Sequence, residues 1–418
     1  MLKKIFQKSI SLTVLTLFCS IVGYLNQLIL AYYFGATQNM DNYLFAISIP
    51  TFVAALLCAA VSYSVIPEIV KCGPSIESRK EYLSSLMFCL TFLSIILAVL
   101  GILFSNISIQ QAQESKSIRI LTIISWGSAV FQIINSLINA ISVADGKFEI
   151  PVVCGYFPYI GSISLAYLTY NYLGIYSVAL GVLIGNFLTI IYSLSKNKSY
   201  LPFLKDYTLI RMSIIKAFFK NGFFTSVAMT CFSSYSIIDA YYAPMVGVSA
   251  LSYLGYAQRI IIGLGNLIIA GPSSVIVPYF ARLSKDKEIC KKYTILTLLT
   301  VCLGASIFAM LISLNSSFIV KLLFQRGAFS ENDTKIVASI LRIMAFGMIP
   351  MLTSVIAYRL LYSFSLVIPQ FLIGLLWSVF YSLLSHFLYS DYGVIGIAYS
   401  YLLSWTISLI LLLFYILK

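Results

Sequence analysis

The stretch GYLNQLILAYYFGATQNMDNYLFAISIPTFV, residues 23–53, decides the fold. Two apolar runs flank one short polar turn, and no charged residue occurs in it before Asp41. A helix crosses lipid with about 20 predominantly apolar residues. The first run reaches back to about residue 10 and the second runs on to about residue 68, so each is long enough to span. Upstream, MLKKIFQKSISLTVLTLFCSIVG looks like a secretion signal, with basic residues before an apolar stretch. No small-x-small cleavage site follows, Phe18 is too bulky for a lipoprotein signal, and the apolar run continues. The stretch therefore reads as a first spanning helix that stays in the protein.

Working outward, the same pattern recurs along all 418 residues. Twelve segments emerge, roughly 10–34, 43–68, 82–104, 119–142, 150–170, 172–194, 217–243, 250–280, 293–315, 335–361, 366–388 and 393–417. Hydrophobic residues make up 60% of the chain and charged residues 10%, and the mean hydropathy is +0.95. A soluble domain carries about 25% charged residues. Soluble enzymes, disordered chains and disulfide scaffolds are excluded. The eight cysteines lie mostly in apolar runs without CxxC spacing and read as small buried residues.

The net charge of +13 is explained by topology. With the N-terminus inside, twenty of the 27 Lys and Arg residues fall in inner loops and termini. The outer loops hold Lys116, Arg119, Lys321, Arg326 and Lys335, leaving Arg259 and Arg342 inside apolar segments. This asymmetry predicts an even number of helices with both termini cytoplasmic, and it leaves no call for nucleic acid.

The two halves resemble each other. Ala31-Tyr32-Tyr33, Tyr43-Leu44 and Ser64-Val65-Ile66-Pro67 recur in order as Ala240-Tyr241-Tyr242, Tyr253-Leu254 and Ser274-Val275-Ile276-Val277-Pro278. Six helices per half give both copies one orientation, so the repeat axis runs along the membrane normal. The expected fold is an all-α polytopic membrane protein of about twelve helices in two six-helix lobes, 1–200 and 201–418. Transporters of this plan place substrate between lobes that rock against each other.

Intramembrane polar groups are the candidate site residues, because a charge at a helix centre costs about 2.5–3.5 kcal/mol on insertion scales. Arg259 lies deep in the eighth segment and reads as facing an anionic ligand, or as bonded to neighbouring carbonyls. Asp239, near the end of the seventh, reads as a partner of Arg259, an ion-coupling group, or a residue reaching the interface. Arg342 is close enough to the outer surface to snorkel. Asn26 and Gln27 point about 100° apart, so at least one faces the interior. Asp41 opens the second segment and reads as a helix cap or a substrate contact. Pro50, Pro272 and Pro350 bend their helices. The single histidine, His386, belongs to no cluster. GxxxxGK[ST], HExxH, GxSxG and paired carboxylates are all missing from the sequence, so the chain is not expected to be an enzyme and needs no cofactor.

Three stretches resemble the MviN/MurJ lipid II flippases of the multidrug/oligosaccharidyl-lipid/polysaccharide exporter superfamily. They are 23–53, IIDAYYAPMVGVSALSYLGYAQRIIIGLGNLIIAGPSSVIVPYFARLSK (237–285) and LLFQRGAFSENDTKIVASILRIMAFGMIP (322–350). The resemblance implies a two-lobed flippase of the bacterial inner membrane. It moves an undecaprenyl-linked glycan outward by alternating access, driven by an Na+ or H+ gradient or the membrane potential. Partners would be the lipid-linked glycan, membrane lipids and glycan-synthesis enzymes. Arg259 matches a cavity arginine of that family and Asp41 its acid at the start of the second helix, so Arg259, Asn26, Gln27, Asp41 and Arg342 are the expected cavity set. Asp239 corresponds to part of the family's sodium site. Other family charges are replaced, by Ser20, Asn26-Gln27, Ala54-Ala55 and Gln258, and the chain ends before a final helix pair that shapes a lipid groove in the family. Fewer cations favour a surface-polysaccharide precursor over the peptidoglycan precursor. The competing expectations are a multidrug/cation antiporter of the same superfamily and, behind it, an integral-membrane glycan polymerase.

Overall fold

Lipid offers no hydrogen bonds, so a spanning chain satisfies its backbone within each helix. The computed structural model describes residues 2–73, 76–109, 115–201, 210–283, 287–363 and 367–417, and they contain helices and no strand. The helices are α1 (Leu2–Phe34), α2 (Gln38–Ala60), α3 (Ile66–Lys71), α4 (Ile76–Ile109), α5 (Ser115–Ala144), α6 (Glu149–Cys154), α7 (Tyr156–Leu173) and α8 (Tyr176–Lys196). After them come α9 (Met212–Thr230), α10 (Tyr235–Val246), α11 (Ala250–Leu283), α12 (Lys287–Leu314), α13 (Ser316–Phe324), α14 (Glu331–Ser363) and α15 (Val367–Leu417). Each of the twelve expected segments is mostly helical among its described residues. Among the described residues nine stretches are long and apolar enough to cross a membrane.

The ninth, Ile368–Ile416, holds two of the expected segments. Gly393 breaks it with φ 59° and ψ −138°, and Gly396 lies against the Leu388 carbonyl. Trp377 packs on Trp405 and Tyr381 on Tyr401, so the two arms run antiparallel.

Other irregularities lie where continuous helix was expected, among them turns at Gly155 and at Gly174-Ile175. A π-helical turn, Val61–Val65, separates α2 from α3 just ahead of Pro67, whereas Pro50 stays inside α2. A 3-10 turn, Cys231–Ser234, separates α9 from α10 within the expected segment 217–243. Each non-α turn re-aims the side chains that follow it.

The chain divides into two compact units. Unit 1 holds Met1–Tyr33 and Phe45–Ser226; unit 2 holds Phe34–Leu44 and Val227–Lys418. The expected boundary near residue 200 precedes residues 202–209, which lie outside the described residues.

In unit 1 the core gathers Leu57, Val65, Ile69, Leu83, Leu86, Leu90, Trp126, Ile133 and Leu137. Trp126 fills the space beside Gly101: a Cβ there would sit 2.1 Å from its ring. α7 and α8 meet at backbone distance, since a Cβ on Gly161 would lie 2.2 Å from the Gly181 carbonyl. Gly185 approaches the Phe157 carbonyl in the same way, a small-residue contact typical of membrane helices. α5 and α8 run parallel and are joined by amides and hydroxyls: Asn186 to Ser128 at 2.7 Å, Ser193 to Asn135 at 2.8 Å, and Asn197 to Ser142 at 2.8 Å. At the end of this ladder Arg79 donates to Asp145 at 2.7 Å, to the Tyr200 hydroxyl at 3.0 Å and to the Gly73 carbonyl at 2.7 Å. Burial, reinforced by the Asp145 charge, pushes the Tyr200 phenol above its ordinary pKa.

In unit 2, α14 is the most buried of the nine candidate spans. Its buried residues recur at helical spacing, Leu341, Met344, Ala345, Met348, Leu352 and Ile356. A capping box starts it: Ser330 Oγ accepts from the Asp333 amide at 3.1 Å, and Asp333 accepts from the Ser330 amide at 2.8 Å.

Candidate functional site

In the interior of unit 2 lies Asp239, in the second turn of α10, buried to 1% exposure. The 3-10 turn Cys231–Ser234 sets the direction of α10. Tyr381, on the first arm of α15, donates its hydroxyl to Asp239 Oδ1, and Gln258 of α11 donates its amide to Oδ2. Each carboxylate oxygen therefore has a neutral donor, which a buried carboxylate requires. Around this pair stands an aromatic wall. Tyr381 stacks on Trp377 at 5.4 Å, Trp377 meets Trp405 at 5.1 Å, and Phe232 stacks on Trp405 at 4.7 Å. Tyr401 closes it, bonded to Met351 Sδ at 2.9 Å.

Arg259 follows Gln258 on α11, and its Nη1 is buried with no acceptor among the described residues. The pairing with Arg259, one of the readings of Asp239, does not form. The four ion pairs among the described residues are Lys71–Glu68, Arg79–Asp145, Arg211–Glu81 and Lys335–Glu331. Neighbours in sequence point about 100° apart around a helix. Gln258 thus takes the direction toward Asp239, and Arg259 does not.

Asp41 is buried in the first turn of α2, but it does not cap that helix. Its Oδ1 accepts from the Ser252 amide at 2.7 Å and from the Ser252 hydroxyl, both in the first turn of α11. It is the cap of a helix more than 200 residues away. Two further bonds hold the same turn to α11: Ser249 Oγ to the Ala36 carbonyl, and Tyr256 Oη to the Gly35 carbonyl, each at 2.8 Å. Gly35 has φ 54°, and a Cβ there would meet the Ala328 carbonyl at 2.4 Å, so only glycine fits.

Of the remaining expected residues, Asn26 and Gln27 lie in unit 1. Asn26 is buried, Gln27 half-buried, and the side-chain carbonyl oxygen of each is buried without a donor among the described residues. Arg342 is exposed on α14. Tyr381 and Ser252 carried no signal in the sequence: each is an ordinary residue of its helix, distant along the chain from the carboxylate it serves. Gln258 did carry one, as the amide in place of an acid next to Arg259. Among the described residues no group of three or more His, Cys, Asp or Glu is placed to hold a metal ion.

Comparison with known proteins follows the same outline. The family model for lipid II flippase MurJ matches residues 30–418. The chain belongs to the MurJ family. A probable lipid II flippase MurJ of Buchnera aphidicola subsp. Baizongia pistaciae is 23% identical over 368 residues, covering 83% of this chain and 70% of that one. That of Aquifex aeolicus is 27% identical over 356 residues, covering 82% and 69%. A solved structure of lipid II flippase MurJ in an inward closed conformation superposes with a TM-score of 0.81 at 22% identity, covering 98% of this chain and 88% of the other. An inward-facing multidrug resistance MATE transporter shares the fold at a TM-score of 0.74 and 14% identity, covering 96% and 97%. MurJ proteins are multi-pass proteins of the inner membrane and are transporters, not enzymes. Their substrates are lipid-linked glycan precursors.

Proposed function

We propose that this MurJ family member carries an undecaprenyl-linked glycan precursor from the cytoplasmic to the outer leaflet by alternating access, with both termini in the cytoplasm. The observation that carries this reading is Arg259: a guanidinium group with a buried N–H that no acceptor among the described residues engages. An arginine fork matches phosphate and pyrophosphate oxygens. The unengaged carbonyl oxygens of Asn26 and Gln27 are acceptors suited to sugar hydroxyls. Asp41 and Arg342 complete the proposed cavity set, and an ion gradient or the membrane potential supplies the drive. With Ser20, Ala54, Ala55 and Gln258 at positions where the family resemblance implies charge, a surface-polysaccharide repeat unit suits this residue set better than lipid II. Glycan-synthesis enzymes are the proposed partners.

The test is translocation of labelled undecaprenyl-pyrophosphate glycan in reconstituted vesicles. Protein-loaded vesicles are expected to exceed empty ones, and Arg259→Ala to slow the rate by tenfold or more at equal insertion. Equal rates with and without protein overturn the reading. Export of an organic cation without glycan movement assigns the chain to the antiporter side of the superfamily instead.

A further inference from the structure

The exposed face of α12 is apolar along its length, with Leu299, Leu303, Ile307, Met310 and Leu314 on it. Lipid solvates such a face. The open stripe of α14 has another composition. Lys335, Arg342 and Phe346 are exposed at helical spacing, with half-buried Ser339 between the first two. Lys335 is neutralised by Glu331 at 3.0 Å. Arg342 makes no ion pair or hydrogen bond with another described residue. At 1.5 Å per residue it lies about 16 Å along α14 from Glu331 and about 10 Å beyond Lys335. A cation that deep in a spanning segment is stable beside water or a counter-charge, not in lipid. The stripe therefore lines a polar space, whereas the face of α12 does not.

Arg342 has a companion on the neighbouring helix. Tyr253 of α11 donates to Asp333 of α14 at 3.0 Å, and Gly265 of α11 lies against Met351 and Leu352 of α14. Arg259 is halfway between Tyr253 and Gly265, and Arg342 is halfway between Asp333 and Met351. Two guanidinium groups without ion pairs thus stand at one level of two packed helices. Their surroundings differ. Arg259 has a buried Nη1, while Arg342 is exposed with the exposed Phe346 ring one turn further on. A guanidinium fork matches both oxygens of a carboxylate. An aromatic ring beside it offers an apolar surface to the C–H face of a sugar ring.

We propose that Arg342 and Phe346 form a second subsite on α14, which takes the carboxylate of an acidic sugar while Arg259 takes phosphate. Ser339, one turn before Arg342, donates its hydroxyl to the Ile336 carbonyl at 2.7 Å and keeps its oxygen lone pairs for a sugar hydroxyl. The inference rests on the transport reading above and narrows its cargo to a glycan that carries a uronic acid or a similar carboxylated sugar.

The test uses the full chain and two synthetic undecaprenyl-pyrophosphate disaccharides that end in glucose or in glucuronic acid. Binding is measured in detergent and movement in vesicles. The native protein is expected to bind the glucuronic probe about tenfold more tightly, the worth of one charge-assisted pair. Arg342→Gln brings the ratio of the two affinities to about one, and Arg342→Lys leaves it in between. Phe346→Ala weakens both probes and keeps the acidic preference. A native ratio near one overturns the proposal. So does an Arg342→Gln variant that weakens both probes equally, which assigns Arg342 to the phosphates they share. If Arg342→Gln does not fold, Arg342→Lys and accessibility decide. In vesicles with both faces open, a membrane-impermeant thiol reagent is expected to label Arg342→Cys above the native background and Leu303→Cys no more than the native chain. Arg342→Cys at background overturns the polar stripe. An acidic preference in binding without movement of either probe refutes the transport reading and leaves the subsite standing.

Discussion

Asp41 and Ser252 stand 211 residues apart, and the carboxylate of the first accepts both the backbone amide and the hydroxyl of the second. The start of one helix is thereby built from a side chain of another, and the polar turn that first revealed the fold is fixed to unit 2. The physical cause is the unmet N–H groups that open every helix, which lipid cannot satisfy. Removal of a capping side chain costs roughly 1 kcal/mol. Asp41→Ala is expected to lose about that or somewhat more, Ser252→Ala less because its amide still bonds. Thermal unfolding of the detergent-solubilised protein checks the order; equal losses would refute the cap.

Gly35 and Gly146 separate two kinds of strain. Both have positive φ, 54° and 74°, but a Cβ at Gly35 meets the Ala328 carbonyl while one at Gly146 meets nothing within 4 Å. Gly146→Ala is expected to cost about 1 kcal/mol from the backbone alone. Gly35→Ala adds a collision with backbone and is expected to cost at least twice that, read as a lower folded yield and an earlier unfolding midpoint.

A similar contrast tests the α7–α8 contact. Gly161→Ala places a methyl group 2.2 Å from the Gly181 carbonyl, so the helices must separate. Gly304, in α12, has open space at the same position, and Gly304→Ala is expected to be neutral or to stabilise by up to about 1 kcal/mol through helix propensity. Unfolding curves of the two variants should move in opposite directions or leave Gly304→Ala in place.

The two arginine pairs of unit 1 differ in burial, and burial sets what each is worth. Arg79 is 5% exposed and bonds Asp145, Tyr200 and Gly73, whereas Arg211 and Glu81 are 62% and 50% exposed. Arg79→Ala leaves Asp145 uncompensated and is expected to cost roughly 3 kcal/mol. Arg211→Ala is expected to cost less than about 1 kcal/mol and to respond to salt. A larger loss at Arg211 than at Arg79 in denaturation at two ionic strengths contradicts this reading.

Legibility differs sharply between levels. The twelve segments and the short turn near residue 390 follow from hydropathy, which acts residue by residue, and the cost of an amide in lipid placed at least one of Asn26 and Gln27 inside. The breaks at Val61–Val65 and Cys231–Ser234 do not. Pro50 drew attention as the bend in its helix, yet the irregular backbone lies eleven residues on, where packing on α5 sets it. Asp239 was visible as a costly charge, but the one partner weighed for it in the sequence was the arginine one position too far round the helix.

Lipid forces every spanning segment to close its own backbone hydrogen bonds, so apolar length along the chain was enough to establish helices and their order, while three stretches of motif carried the resemblance to the family. Side-chain polar groups obey no such local rule. In a solvent that offers them nothing they bond to whatever packing brings near, and that partner lies 142 residues away for Asp239 with Tyr381 and 211 for Asp41 with Ser252. Those pairings, and with them the chemistry available to each carboxylate, were set by how the helices pack.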